Sequence, residues 1–439
     1  MAEVAGFPYF ELQFNKEGKV FDPNELQQAV TSIGQGAITD LFVISHGWNN
    51  DMADARALYR ELLARVREVI DGGKAPTGTR KFAVLALLWP SKKFADEELI
   101  PSGAASAGSP VTAAVLNKQL DALKGVFDNP KADTILAEAK QLVPQLEASP
   151  AARAKFADLV RSLPGSKAGA SEDASDRFFK LAGGELMDRL AKPASAAPPK
   201  PGSGGGAAGL RGGPGGGAAG LGSFFSGILS SARNLLNFTT YHQMKERAGL
   251  VGRTGASEAL RKIRAEARDL KVHLVGHSFG GRLVTALALG PDGQPAQKFA
   301  SMTLLQAAFS HNGFAEKFDG THDGFFRSVV SERRVSGPVL ITCTENDVAV
   351  GLAYPLASLI AGQNASKVGD ANDPFGGIGR NGAQHTREAS AGKLGAVGSP
   401  YTFEDGKLYN LNADAVINGH SDICKPEVAY AVLKAVATT

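Results

Sequence analysis

Short apolar runs rich in β-branched residues, each followed by a stretch at helical spacing, predict an α/β fold: a mainly parallel sheet with helices on both faces. Two further observations shape that expectation. From about Ser91 to Val251 the alternation stops and only helical patterns remain. Within that stretch, residues 202–222 hold 12 glycines and the heptapeptide GGGAAGL twice, at 204–210 and 215–221. Such a segment buries too little apolar surface to offset its ordering entropy and reads as a flexible linker. The chain therefore divides into a sheet-forming part, 1–91 and 250–439, and a largely helical insertion, 92–249, with a disordered Gly-rich segment at 193–223. Taking roughly 160 residues from 439 leaves about 280, a size that one α/β domain reaches.

The elements follow in order. FPYFELQF, the turn NKEG and KVF suggest a hairpin at one sheet edge. ITDLFVIS (38–45) is an apolar strand ending at His46-Gly47. DMADARALYRELLARVREVI (51–70) is then a helix that Asn50 or Asp51 is suited to cap. KFAVLALLWP (81–90) is a second buried strand, and Trp89 at its end belongs to the core. In the insertion, 113–127, 131–147, 150–162, 176–191 and 224–238 have helical periodicity. EALRKIRAEARDL (258–270) is a helix, KVHLV (271–275) a strand and GGRLVTALAL (280–289) a helix. FASMTLLQAAF (299–309), GPVLITCT (337–344) and GKLYNLNA (406–413) complete the strands, and KPEVAYAVLKAVA (425–437) closes the chain as a helix. Residues 361–400 read as loop.

Composition sets limits on function. The hydrophobic fraction is 43% and the charged fraction 21%, with a net charge of +3, which fits a globular chain and gives no reason to expect nucleic acid as partner. Two cysteines, Cys343 and Cys424, do not suggest dependence on disulfides. No apolar run approaches 18 residues, so no transmembrane segment is expected. The start MAEVAGFPYF lacks a secretory pattern, so the expected location is cytoplasmic, with non-classical export left open. No His, Cys and Asp spacing suggests a metal, and no cofactor is expected.

Gly276-His277-Ser278-Phe279-Gly280 matches G-x-S-x-G between a strand and a helix, the setting in which a tight turn lifts a serine above the sheet edge. A serine hydroxyl needs a base within hydrogen-bond reach, itself oriented by an acid. His420, in INGHSDI, lies just past the strand at 406–413 and before the last helix. Asp347, in CTENDVAVG, lies just beyond the strand at 337–344; Glu345, Asp319 and Asp323 are the competing acids. The oxyanion of an acyl-transfer step needs donors, and the backbone N–H groups of Phe279 and Trp48 are the candidates. His46 and His277 read as structural.

HGWNN, GHSFGG, END and GHSD, in this order and after successive strands, resemble the α/β-hydrolase superfamily over about 1–91 and 250–439. The resemblance implies Ser278 as nucleophile, His420 as general base and then acid, and Asp347 as the orienting carboxylate. It implies a serine hydrolase of the carboxylesterase or lipase type, cleaving a small-molecule or lipid ester without a cofactor. A peptidase or thioesterase with the same triad, or an inactive binding protein on the same fold, are the alternatives, and a toxin lipase exported without a signal peptide is a further one. Oligomeric state is not legible. In such relatives a helical insertion acts as a lid or cap. FFSGILSSARNLLNF (224–238) puts Phe225, Leu229, Ala232 and Leu236 on one stripe, suited to packing on the domain or to contact with a lipid surface. HNGFAEKFDGTHDGFF (311–326) suits either an apolar pocket or a loop anchored by phenylalanines. FGGIGRNGAQ (375–384) lacks the setting of a phosphate loop and reads as a plain loop.

Overall fold

The computed structural model describes residues 2–48, 50–91, 111–165, 169, 171–192, 227–347, 357–362 and 374–439. The Gly-rich segment 193–223 and Phe225 lie outside the described residues. Two compact units make up the chain: Met1–Lys92 with Arg247–Asp347 and Gly377–Thr439, and Lys93–Glu246 with Val348–Gly376.

The first unit is built on nine strands: β1 (Glu3–Val4), β2 (Phe7–Gln13), β3 (Asp40–Ser45), β4 (Phe82–Leu88), β5 (Lys271–His277), β6 (Ser301–Leu305), β7 (Val339–Cys343), β8 (Ala389–Lys393) and β9 (Leu408–Asn412). They form one sheet in the order β1-β2-β4-β3-β5-β6-β7-β9-β8. Every pairing is parallel except β1 with β2. All residues of β3 and β4 are buried, as befits strands covered on both faces. Successive residues of a strand point to opposite faces. Thus Phe42 and Ile44 join Val84 and Ala86 in a core closed by the helices Met52–Asp71 and Pro426–Ala437. The first of these helices opens with a capping box. The Asp51 carboxylate accepts from the backbone N–H groups of Ala53 and Asp54, and Asp54 accepts from that of Asp51, which satisfies otherwise orphaned donors.

Three sequence expectations need correction. The edge hairpin is β1 with β2, turned by Ala5 and Gly6, both at positive φ. Lys19-Val20-Phe21 turns back on the end of β2 through an isolated antiparallel bridge, Phe14 with Val20, and backbone bonds from Phe21 to Gln13 and from Asn15 to Lys19, without forming a strand. The stretch 361–400 is not all loop: it contains a short helix, Ile378–Asn381, and the outermost strand, β8. Helix 224–238 is longer than its apolar pattern. It runs over Ile228–Val251 and passes through a π turn, Gly252–Ala256, into Ser257–Glu266. Glycine at the π turn admits a close neighbour, since a Cβ at Gly252 would lie 2.2 Å from the Leu283 carbonyl oxygen.

The described helices of the second unit include Ala113–Ala122, Ala132–Leu142, Pro150–Arg161, Ser175–Lys180 and Gly183–Leu190. The predicted helix 176–191 is thus two, separated at Leu181-Ala182. Phe238 packs its ring 4.8 Å from that of Phe178, and Ala232 and Leu236 of the predicted stripe are buried. Lys245 and Asp173 form an ion pair at 2.6 Å with side chains 4% and 6% exposed. Ser175 also donates to Asp173 through its hydroxyl and its backbone N–H. Among the described residues no helix is long and apolar enough to cross a membrane.

Candidate active site

The site lies at the carboxyl ends of β3, β5, β7 and β9. β5 ends at His277, and the helix Phe279–Leu289 starts one residue after Ser278, which has φ 57° and ψ −125°. A non-glycine residue in that region is strained and persists only where its surroundings over-determine it. Here they do. The Ser278 N–H donates to the Leu305 carbonyl at 3.1 Å, and the Ser278 carbonyl accepts from Ala308 at 2.9 Å. The flanking glycines allow the close passage of backbone that this turn demands. A Cβ at Gly276 would lie 2.4 Å from the Gly280 carbonyl oxygen, and one at Gly280 would lie 2.1 Å from that of Ser45.

The Ser278 hydroxyl donates to His420 Nε2 at 2.8 Å, and His420 Nδ1–H donates to Asp347 Oδ2 at 2.8 Å. The carboxylate fixes the tautomer: only a proton on Nδ1 makes both bonds, and it leaves the Nε2 lone pair facing the hydroxyl. Asp347 is fully buried, whereas the His420 side chain is 21% exposed. Of the competing acids, Glu345 gives its backbone N–H to Asp414 and its carbonyl to Arg380. Asp323 accepts from Lys317, and Asp319 from Thr321 and His322 on an exposed turn. None of these three makes the bond to His420.

Both loops are held from behind. Asp414 accepts from the Thr344 hydroxyl and the Glu345 N–H. The Asn346 amide donates to the carbonyls of Asp414 and Ile417, tying the acid loop to the segment that leads to His420. His277 Nε2–H donates to the His420 carbonyl at 2.9 Å. Burial, with His420 beside it, lowers the His277 pKa to about 3, so it serves as a neutral tie.

The oxyanion candidates also meet here. The rings of Trp48 and Phe279 lie 5.9 Å apart. Phe279 opens an 11-residue helix, whose N-terminal dipole favours negative charge. A Cβ at Gly47 would stand 2.5 Å from that of Ser278, so glycine alone lets the Trp48 segment come this near. His46 fixes the same segment. Its Nδ1–H donates to the Gly47 carbonyl, and its Nε2 accepts from the Trp89 N–H. Burial pushes its pKa down to about 4. Trp89 stacks on it and is 1% exposed.

A second Asp-His-Ser array, absent from the sequence expectations, occupies the opposite ends of the strands. His273 meets Asp40 at 2.9 Å and Ser301 Oγ at 2.8 Å. Its ring nitrogens are used the other way round from the first array, Nδ1 towards Ser301 and Nε2 towards Asp40, and His273, Asp40 and Ser301 are each 2% exposed or less. Ser301 and His273 sit within strands and are paired with each other in the β5–β6 ladder. Arg80 also pairs with Asp40. This array is a sealed polar staple.

The neighbouring segments have plain roles. Phe309, Phe314 and Phe326 pack edge-on around one another, so 311–326 is anchored by phenylalanines. Cys343 is buried within β7, and Cys424 is half-buried. Among the described residues no group of three or more His, Cys, Asp or Glu side chains is placed to hold a metal ion. A family model described as alpha/beta hydrolase fold matches residues 245–337. No curated protein and no solved structure matches the chain.

Proposed function

We propose, from the match of residues 245–337 to the alpha/beta hydrolase fold model together with the site geometry, that this chain is a serine hydrolase that cleaves a carboxylic ester through an acyl-enzyme. The observation that carries the reading is the unbroken chain from Asp347 through His420 to the strained Ser278, both bonds at 2.8 Å. Ser278 attacks the ester carbonyl while His420 takes its proton at Nε2. Asp347 stabilises the imidazolium without itself being protonated. The backbone N–H groups of Phe279 and Trp48 hold the oxyanion. His420 then protonates the leaving alcohol, and a water that it activates releases the acid.

Ester is favoured over amide and thioester by the fold's common chemistry alone, so the substrate panel decides it. The proposal also takes the helical insertion as the element that governs substrate entry, on the ground that it interrupts the chain between β4 and β5.

The test is intact-mass detection of a fluorophosphonate adduct on the parent, Ser278→Ala, Asp347→Asn and His420→Ala. One adduct on the parent, none on Ser278→Ala and strongly slowed labelling of the other two supports the triad. Matched ester, thioester and anilide substrates then rank the leaving groups. Removing residues 202–222 tests the insertion: an unchanged rate against long-chain esters counts against an entry role. A folded parent that neither labels nor hydrolyses any of them overturns the proposal.

A further inference from the structure

We infer that Gln306 is a positioning residue for this site: the tight turn it forms at the end of β6 is a common seat for the nucleophile and the acid. The inference rests on the serine-hydrolase reading above and adds a residue that no motif points to.

Gln306 follows β6 directly, is fully buried and has φ 46°. That conformation is unfavourable for an L-residue with a long side chain, so something holds it there. Its backbone N–H donates to Thr342 Oγ1 at 3.2 Å, and the Thr342 hydroxyl donates to Gln306 Oε1 at 2.8 Å. Because the Thr342 proton is committed to Oε1, the orientation of the amide is fixed, and Nε2 carries both remaining protons. One goes to the Gly379 carbonyl at 3.0 Å and the other to Asp347 Oδ2 at 3.4 Å. That is the same oxygen that accepts from His420.

The residues on either side hold the nucleophile. The Leu305 carbonyl accepts the Ser278 N–H, and the Ala308 N–H donates to the Ser278 carbonyl. One four-residue turn therefore grips Ser278 by its backbone and Asp347 by its carboxylate. The strand partner β7 supplies Thr342 to lock it. The segment that read as a plain loop closes it from the far side: the Gly379 N–H donates to the Ala307 carbonyl, and the Gly379 carbonyl accepts from Thr344. A Cβ at Gly379 would lie 2.5 Å from the Gln306 carbonyl carbon. The separation between nucleophile and acid, which His420 must span, is set on this turn.

The test compares Gln306→Met, which keeps the length and removes both donors, and Thr342→Val, which keeps the shape and frees the amide. Each is measured with the parent and Ser278→Ala. Rates are expressed per serine titrated by fluorophosphonate, which separates a misaligned site from a smaller folded fraction. The expected result is a kcat lower by about 10–100-fold in Gln306→Met, the range for losing an outer orienting partner, with KM within about twofold. Thr342→Val falls in the same direction by a smaller factor. Per-site kcat within twofold of the parent in either folded variant overturns the inference while the parent's labelling upholds the triad. A folded parent that does not label overturns both.

Discussion

Gly47→Ala tests the close approach between the Trp48 segment and the nucleophile. The added Cβ would stand 2.5 Å from Ser278 Cβ, 3.0 Å from its Oγ and 3.3 Å from His277 Nδ1. Carbon atoms in contact sit about 3.5–4.0 Å apart, so about 1 Å must be found by moving the segment or the serine. Neither yields easily. The segment is held by His46 through the Gly47 carbonyl and the Trp89 N–H, and Ser278 by backbone bonds on both sides. Misplacement on that scale costs on the order of 10²-fold in rate, and overpacking costs about 1–3 kcal/mol in stability. The assay is the second-order rate of fluorophosphonate labelling beside a thermal melt. Gly184→Ala is the control, because a Cβ there meets nothing within 4 Å and helix propensity favours the alanine. Gly47→Ala labelling within twofold of the parent would refute the reasoning.

Other consequences can be measured as directly. Asp347→Asn keeps the shape but removes the acceptor that holds the proton on Nδ1, and should lower kcat by about 10⁴-fold in a steady-state ester assay with little change in the melt. His277, with a pKa lowered to about 3, and His46, at about 4, start from 6.5 when unfolded. Above pH 6.5 both states are neutral and stability is unaffected. Below it the unfolded chain takes up protons that the folded site refuses. Stability is therefore lost as pH falls from 6.5 towards those values, by about 1.4 kcal/mol per pH unit for each histidine. Urea midpoints at pH 7.5 and 4.5 should show this, and His277→Asn should reduce the slope; equal slopes would count against it. Lys245→Met strands the buried Asp173 charge and should cost about 3–5 kcal/mol; a melting temperature within 2 °C of the parent would contradict that reading.

The candidate site was legible where the proposed chemistry demands particular residue types at strand ends. G-x-S-x-G between KVHLV and GGRLVTALAL, Asp347 after one strand and His420 after another are brought together by the sheet order. The strand cores were legible because buried parallel strands are apolar throughout. What stayed hidden depends on pairing rather than pattern. β8 has mostly exposed and half-exposed residues and exists because β9 offers a backbone edge, which no hydropathy signal reports. Gln306 looked like one polar residue ending an apolar run, and its partners Thr342 and Gly379 lie 36 and 73 residues away. The Asp40–His273–Ser301 array was invisible for the same reason. The π turn at Gly252–Ala256 depends on close packing at Gly252 and Gly255 against distant segments, which residue pattern does not report.

The order of strands at the middle of the sheet has a consequence for how such a chain can change over time. β4 and β5 flank β3 without touching each other, and each is registered on β3 through its own ladder. Among the described residues from Trp89 to Leu270, none is paired in either ladder. The two ends of that connector are fixed to the sheet-bearing unit, Trp89 by its bond to His46 and Gly252 by its close packing on the Leu283 carbonyl, so variation in length belongs between them.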